Sequence, residues 1–305
     1  MEPKYPVFIP SKGRWESRLT SKMFERIGVP YHIVVEPQEY KNYAAVIDPK
    51  RIIVLPYSNQ GLVVTRNWIW DYALSLGAPY FWTFDDNIRE TWRWNQNRKL
   101  KVDCANPLRA CEDFTERYEN VYISGMNYFM FVKQKYKDEP FRLNTRVYSN
   151  MLIKTDIPYR NEGFYNDDTD LCLRILKDGF CTILFMAFLV EKSVTMTVKG
   201  GMTPHYQGDG RYKMALELQR KHPDVVKITY KWGRWQHQVD YRPFKGNKLI
   251  KKEGIIIPEG VNNYGMKLVK RGDGKTMTGG STASSDEPNF TSNTGINTNV
   301  EPESA

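Results

Sequence analysis

Cysteine and histidine are scarce in this 305-residue chain, with four of each. Cys104, Cys111, Cys172 and Cys181 include no CxxC pair and fall within expected helices and strands, which fits a reduced, cytoplasmic protein rather than a disulfide scaffold. No stretch approaches the roughly 18 apolar residues that a membrane span needs. The opening MEPKYPVFIP has neither a basic region nor a long apolar run, so no signal peptide is expected. Acids are outnumbered, 35 against 44 Lys and Arg, for a net charge of +9. The imbalance is steeper than that, because residues 272–305 carry five acids and one lysine, leaving +13 on the rest. A basic body favours a polyanionic partner, since neutralising phosphates releases counterions; the bland alternative is a basic surface with no partner.

What the chain does have is aromatic and apolar material, with 19 Tyr, 8 Trp and 41% hydrophobic residues, enough to build a sizeable core. Strand and helix patterns alternate over the first 125 residues. Strands are expected at 5–9, 31–35, 51–55, 80–84 and 121–124. Helices are expected at 20–27, 61–76 and 107–120, with Gly28 and Gly77 closing the first two. Such alternation predicts βαβ units and a parallel sheet. From residue 126 the pattern is mixed, with strands at 129–132, 146–153 and 180–185 and helices at 167–177 and 211–221. Residues 226–271 form a basic, aromatic extension that holds 11 Lys and Arg against 3 acids. Residues 272–305, rich in Gly, Ser, Thr and Asn, bury too little apolar surface to order themselves and are expected to be a disordered tail. The expected organisation is therefore 1–125, 126–225, 226–271 and 272–305, the first two being halves of one domain.

Five segments carry candidate chemistry. YFWTFDDNI is an apolar strand ending in Asp85, Asp86 and Asn87, and ligands of open α/β sheets bind outside the carboxyl ends of strands. A carboxylate there can hold a divalent metal bridging a diphosphate, or the acids can simply turn the chain. In GLVVTRNWIWDYAL, Arg66 and Asn67 fall near a helix N-terminus, a place that attracts phosphate. IPSKGR follows the first strand with Pro10, Ser11, Lys12 and Arg14, and is not a P-loop; Glu36 ends the second strand. NDDTDLCLRILKDG places Asp167, Asp168 and Asp170 in a first helical turn, as caps or, for one of them, as a general base. KGGMTPHY offers His205 as a metal ligand or as an ordinary solvated histidine.

In this order the segments resemble GT-A glycosyltransferases. The DxD-type metal motif of that family resembles Asp85-Asp86-Asn87, with Asn in the third place. Its xED motif resembles Asn166-Asp167-Asp168, and its ARN segment resembles Thr65-Arg66-Asn67. VFIPSKGR, FWTFDDNI, NDDTDLCLRIL, the GGM segment and GRWQHQVDY more closely resemble the phage TET-associated glycosyltransferases, over roughly residues 5 to 250. The resemblance implies a Rossmann-like α/β fold of the GT-A type, with a mixed sheet, a parallel N-terminal half and a C-terminal basic aromatic β extension. It implies a phage-encoded enzyme of the host cytoplasm. That enzyme moves a sugar from a nucleotide sugar such as UDP-glucose to 5-hydroxymethylcytosine in DNA, downstream of a TET-like dioxygenase. The donor would meet Pro10, Ser11, Lys12, Arg14, Glu36, Arg66, Asn67 and Asp85. A divalent ion, Mn2+ or Mg2+, would be held by Asp86, Asp85 and His205. Beside Asp167, Asp168 would act as base in an inverting enzyme and would position the acceptor in a retaining one.

A hydroxymethyl group on a base lies in the major groove, so the enzyme must enter the groove or extrude the base. Trp92, Arg93 and Trp94 form one candidate DNA surface. Trp232, Arg234 and Trp235, with Lys245 and Lys248, form a second; core packing is the competing role for each Trp. Three rival functions stand beside this one. A glycosyltransferase acting on a glycan or protein would share the donor site. A nucleotidyltransferase would need a Gly-rich loop that PSKGR matches poorly. A non-catalytic DNA-binding module would have no use for the acids.

Overall fold

The computed structural model describes residues 1–95, 97–133, 139–193 and 208–256. They belong to one compact unit, Met1–Ile257. The tail expected from residue 272 and the GGM segment with His205 lie outside the described residues.

Four parallel strands open the sheet: β1 (Val7–Pro10), β2 (His32–Val35), β3 (Ile52–Val54) and β4 (Tyr80–Phe84), in the spatial order β3-β2-β1-β4. Their connections are helical: α1 (Leu19–Ile27), the short α2 (Tyr40–Ala44) and α3 (Leu62–Ser75). Because β1 and β4 are buried along their whole length, they read in sequence as continuous apolar runs. α1 ends at Gly28, whose φ of 71° is the left-handed conformation that glycine adopts without penalty.

Past β4 the sheet becomes mixed. β9 (Asn150–Lys154) runs antiparallel to both β4 and β7 (Val121–Tyr128); β10 (Cys181–Lys192) runs parallel to β7. β5 (Ile88–Asn95), antiparallel to β10, and β6 (Arg98–Lys101), antiparallel to β5, close the far edge, and β8 (Phe141–Leu143) also pairs antiparallel with β10. α4 (Asn106–Thr115), α5 (Asp167–Lys177) and α6 (Gly210–Lys221) complete the helices. The strand expected at 129–132 is instead a single 3-10 turn over Phe129–Phe131. The helix expected to reach residue 120 ends at Thr115, and the strand after it extends to Tyr128.

The main core lies between the parallel strands, α3 and α5, with Phe8, Trp70, Phe81, Met151, Leu171 and Ile175 at its centre. Gly125, midway along β7, is a packing requirement. A Cβ there would stand 2.1 Å from the Asn150 carbonyl oxygen. The basic extension begins as a separate hairpin, β11 (Val226–Lys231) and β12 (Arg234–Val239). Its base is anchored by Val226, Val239 and Phe244 packing against Leu173 and Leu176 of α5 and Leu218 of α6. This α/β mixed sheet, with a parallel N-terminal half and a C-terminal β extension, is a Rossmann-like GT-A arrangement.

Candidate active site

An open cavity of about 860 Å3 lies along the carboxyl ends of β1, β2 and β4 and reaches the N-terminus of α5. The strand ends deliver Pro10, Ser11, Lys12, Arg14, Glu36, Asp85, Asp86 and Asn87 to it. This is where an open α/β sheet presents ligand-binding groups. Arg66 enters from the first turns of α3, and Asp167 and Asp168 from the first turn of α5.

The turn after β4 is held by Thr20. Its hydroxyl donates to the Asp85 carbonyl (2.6 Å) and accepts from the Ile88 amide (2.9 Å), so the two acids leave the strand on a braced backbone. Their carboxylates then diverge. Asp85 receives Lys192 Nζ at 2.6 Å, Ser149 Oγ at 2.7 Å and Arg66 at 3.1 Å. Burial alone would raise its pKa, but Lys192 and Arg66 together hold the carboxyl well below the usual range. Asp86 receives Ser11 Oγ at 2.7 Å and the Arg14 guanidinium. Here burial wins over Arg14 and Ser11, and the pKa moves up. Asp85 is thus oversupplied with positive charge and Asp86 undersupplied.

Arg66 is buried and bridges the two motifs, pairing with Asp167 at 2.6 Å as well as with Asp85. Burial works against its charge, and the surrounding Asp167, Asp85 and Asp168 more than restore it. The three acids of the α5 motif separate into distinct roles. Asp167 holds Arg66. Asp170 points to the opposite side, bonded to His222 (2.9 Å) and Arg174 (3.1 Å), and so secures α5 to α6. Among the described residues no cation lies at hydrogen-bond distance from Asp168. Its Oδ1 accepts the Thr169 amide (2.6 Å) and hydroxyl (3.1 Å), and burial followed by the Asp167 charge raises its pKa. A half-buried carboxylate with a raised pKa facing a cavity is suited to accepting a proton.

At the end of β2, Glu36 is buried, pairs with Lys12 (2.7 Å) and accepts the Asn59 amide (3.0 Å). Tyr43 braces the first-strand loop, with its hydroxyl bonded to Ser11 Oγ (2.7 Å) and to the Arg14 amide (3.1 Å).

Several expected site residues are placed elsewhere. Asn67 does not line the cavity. Its side chain clamps Asn161, donating to that carbonyl (2.9 Å) and accepting its amide (2.8 Å), and so ties the loop before α5 to α3. Trp92 and Trp94 lie on β5, packed against the Val132, Leu184, Met186 and Leu189 cluster, with Trp92 Nε1 bonded to Glu191 (2.9 Å). Neither they nor Arg93 line the cavity. Lys245 and Lys248 are exposed and also away from it. Trp232 and Arg234 occupy the far end of the hairpin, while Trp235 lines the cavity.

The structure also adds residues that no motif announced. Lys192, at the end of β10, sits at a break in the β5–β10 register, a device that re-aims side chains. Arg146 lies 4.6 Å from the Tyr148 ring centre and 3.3 Å from His237 Nε2. Tyr128 and Ser149 complete the surroundings of Lys192. These residues come from strands and loops far apart in sequence, so only their cationic or hydroxyl type was visible beforehand.

The oxygen-rich pair Asp85-Asp86 is suited to a hard divalent cation. Among the described residues no group of three or more His, Cys, Asp and Glu gathers to hold a metal. The geometry thus sets paired charges at the strand ends and a separate carboxylate, Asp168, around one cavity.

Comparison with known proteins bears on the family. A search of curated proteins finds no match. Among solved structures, the crystal structure of mannose-6-phosphate isomerase from Helicobacter pylori aligns over 82% of this chain and 94% of that one, at 10% identity. Its TM-score of 0.28 is too low to bear on fold or function. The model of the TET-Associated Glycosyltransferase family matches residues 5–201, a span that contains every acid of the cavity described above and ends before the hairpin. By that match the chain belongs to the TET-associated glycosyltransferase family and is a glycosyltransferase.

Proposed function

We propose that this enzyme transfers a sugar from a nucleotide-sugar donor, UDP-linked, to the hydroxymethyl group of 5-hydroxymethylcytosine in phage DNA. The observation that carries the reading is the single cavity, which joins the paired charges at the strand ends to the Asp168 carboxylate. Glu36 and Lys12 would meet the nucleoside, and Arg66, Arg14 and Lys192 the diphosphate. The acceptor oxygen attacks the anomeric carbon as the bond from that carbon to the diphosphate oxygen breaks. Charge builds on the departing diphosphate, and fixed cations facing it stabilise that state without reorganising. In an inverting reaction Asp168 takes the proton of the attacking hydroxyl.

A divalent ion, Mn2+ or Mg2+, would be held by Asp86 with help from Asp85, and would add Lewis-acid stabilisation of the leaving group. Arg14 would then pass from Asp86 to the diphosphate. The acceptor requires an oxidised methylcytosine, so a TET-like dioxygenase would act first. Lys245 and Lys248 would contact DNA phosphates beyond the cavity.

Nucleoside mass spectrometry of hydroxymethylcytosine DNA, incubated with the enzyme, manganese and a panel of nucleotide sugars, tests the whole reading. The expected result is a hexose or pentose mass shift that Asp86→Ala abolishes. Donor hydrolysis with no shift on any DNA would overturn the acceptor and leave a glycan or protein in its place.

A further inference from the structure

The hairpin β11–β12 turns through only two residues, Trp232 and Gly233, between the paired Lys231 and Arg234. Both turn residues have positive φ, 52° and 68°. Such turns favour Asn-Gly or Gly-Gly, because Cβ crowds the following carbonyl oxygen in the left-handed backbone, a cost that Gly escapes and Asn offsets by local hydrogen bonding. Here the position holds tryptophan, and the side chain is not recovered by packing, since Trp232 is 82% exposed. An unfavourable backbone conformation is thus maintained to display a large aromatic ring in solvent, a combination that marks functional sites.

The ring stands at one end of an aromatic series. Tyr230 and Trp235 are directly paired across the hairpin with centroids 5.1 Å apart, and Trp235 also meets Tyr212 of α6 at 5.2 Å. Trp235 lines the cavity, whereas Trp232 does not. Residues 226–239 contain Lys227, Lys231 and Arg234 and no acid. Aromatic rings interleaved with cations suit stacked bases between phosphates. The hairpin lies beyond residues 5–201, the span that the family model matches.

We propose that Trp232 is a wedge for duplex DNA: it enters the base stack at the place vacated when the target nucleotide is extruded, while Trp235 forms the wall against which the extruded base rests. This rests on the DNA acceptor proposed above. A base whose hydroxymethyl group must reach Asp168 inside the cavity has to leave the helix, and the unstacking it costs is least when another ring fills the gap.

Trp232→Asn is the decisive variant, because Asn suits the turn and should leave the melting temperature equal or higher. The measurement is the rate of sugar transfer to one hydroxymethylcytosine oligonucleotide as a duplex, as a single strand, and opposite an abasic site. Replacing the wedge should lower the duplex-to-single-strand rate ratio about tenfold or more, the scale of one lost stacking contact. Trp232→Phe should restore most of it, and the abasic-opposed substrate should behave like the single strand. An unchanged ratio, or an equal loss on all three substrates, would overturn the wedge while keeping DNA as acceptor. Donor hydrolysis by the wild type without transfer to any of the three would overturn the acceptor and the wedge together.

Discussion

The strand-end wall of the cavity and the hairpin on its other side are built on opposite principles. At the strand ends, charge meets charge: Lys12 with Glu36, Arg14 with Asp86, and Arg66 and Lys192 with Asp85, mostly buried. On the hairpin, cations and aromatic rings stand in solvent without acids among them. A preorganised wall suits chemistry that every donor shares, since its dipoles and charges need no rearrangement as the bond breaks. An exposed aromatic finger suits a partner that must be reshaped on contact. The two meet through α5, which carries Asp167 and Asp168 at its first turn and Leu173 and Leu176 against the hairpin's base.

The sharpest way to break this contrast is to remove the wall's central cation. Arg66→Met leaves Asp167 buried without that cation and Asp85 with Lys192 and Ser149. Loss of one member of a buried pair costs about 3–5 kcal/mol, so urea denaturation should show a large fall in stability together with loss of transfer. A change under about 1 kcal/mol would show that the wall is not organised by its charges. Next in size is Asp168→Asn, expected to lower turnover by roughly 100- to 10,000-fold while calorimetry still detects donor binding. Normal turnover would remove Asp168 from the base role and with it the separation of donor wall and base.

A smaller effect sharpens the comparison from the hairpin side. Burial, then the charge of Arg146, pushes the His237 imidazole down to about 4. Above pH 6.5 the ring is neutral whether the chain is folded or unfolded, and the hairpin's seat is at full strength. As pH falls from 6.5 toward 4, the unfolded chain takes up a proton that the folded one refuses, so stability drops. Thermal unfolding of wild type and His237→Asn at pH 7.5 and 4.5 should show a larger acid loss in the wild type. Equal losses would mean that His237 is not seated against Arg146 in solution. Least of all, Lys245→Ala and Lys248→Ala should each weaken binding to any DNA sequence. Each should also reduce the slope of affinity against salt by about one. An unchanged slope would confine DNA contact to the hairpin.

The donor motifs were legible in sequence because strand ends are. A buried parallel strand is a run of apolar residues, so the first polar residues after YFWTF and VFIP must be those at its carboxyl edge. The α5 motif was legible as a cluster but not as roles. Three acids in one turn look alike until the fold assigns Asp167 to Arg66, Asp170 to His222 and Arg174, and Asp168 to the cavity. Asn67 shows the limit of adjacency: it is next to Arg66, yet the helix turns it about 100° away, toward Asn161. Trp92 and Trp94 show another. Tryptophans beside a motif read as surface tools, but β5 is a paired strand whose aromatic residues pack against a sheet cluster.

The alternation that makes the parallel half, the strand-end loops, the acid pair after β4 and the basic, aromatic character of the extension can all be read from the order of residues. Each of these is a local property of composition and period. Folding is what sets Lys192 against Asp85 across 107 positions of chain, joins the two acidic motifs through Arg66, and gives Trp235 a cavity in common with Glu36. Those contacts arise from sheet order and helix packing, which depend on how distant segments bury one another and leave no signal in the segments themselves.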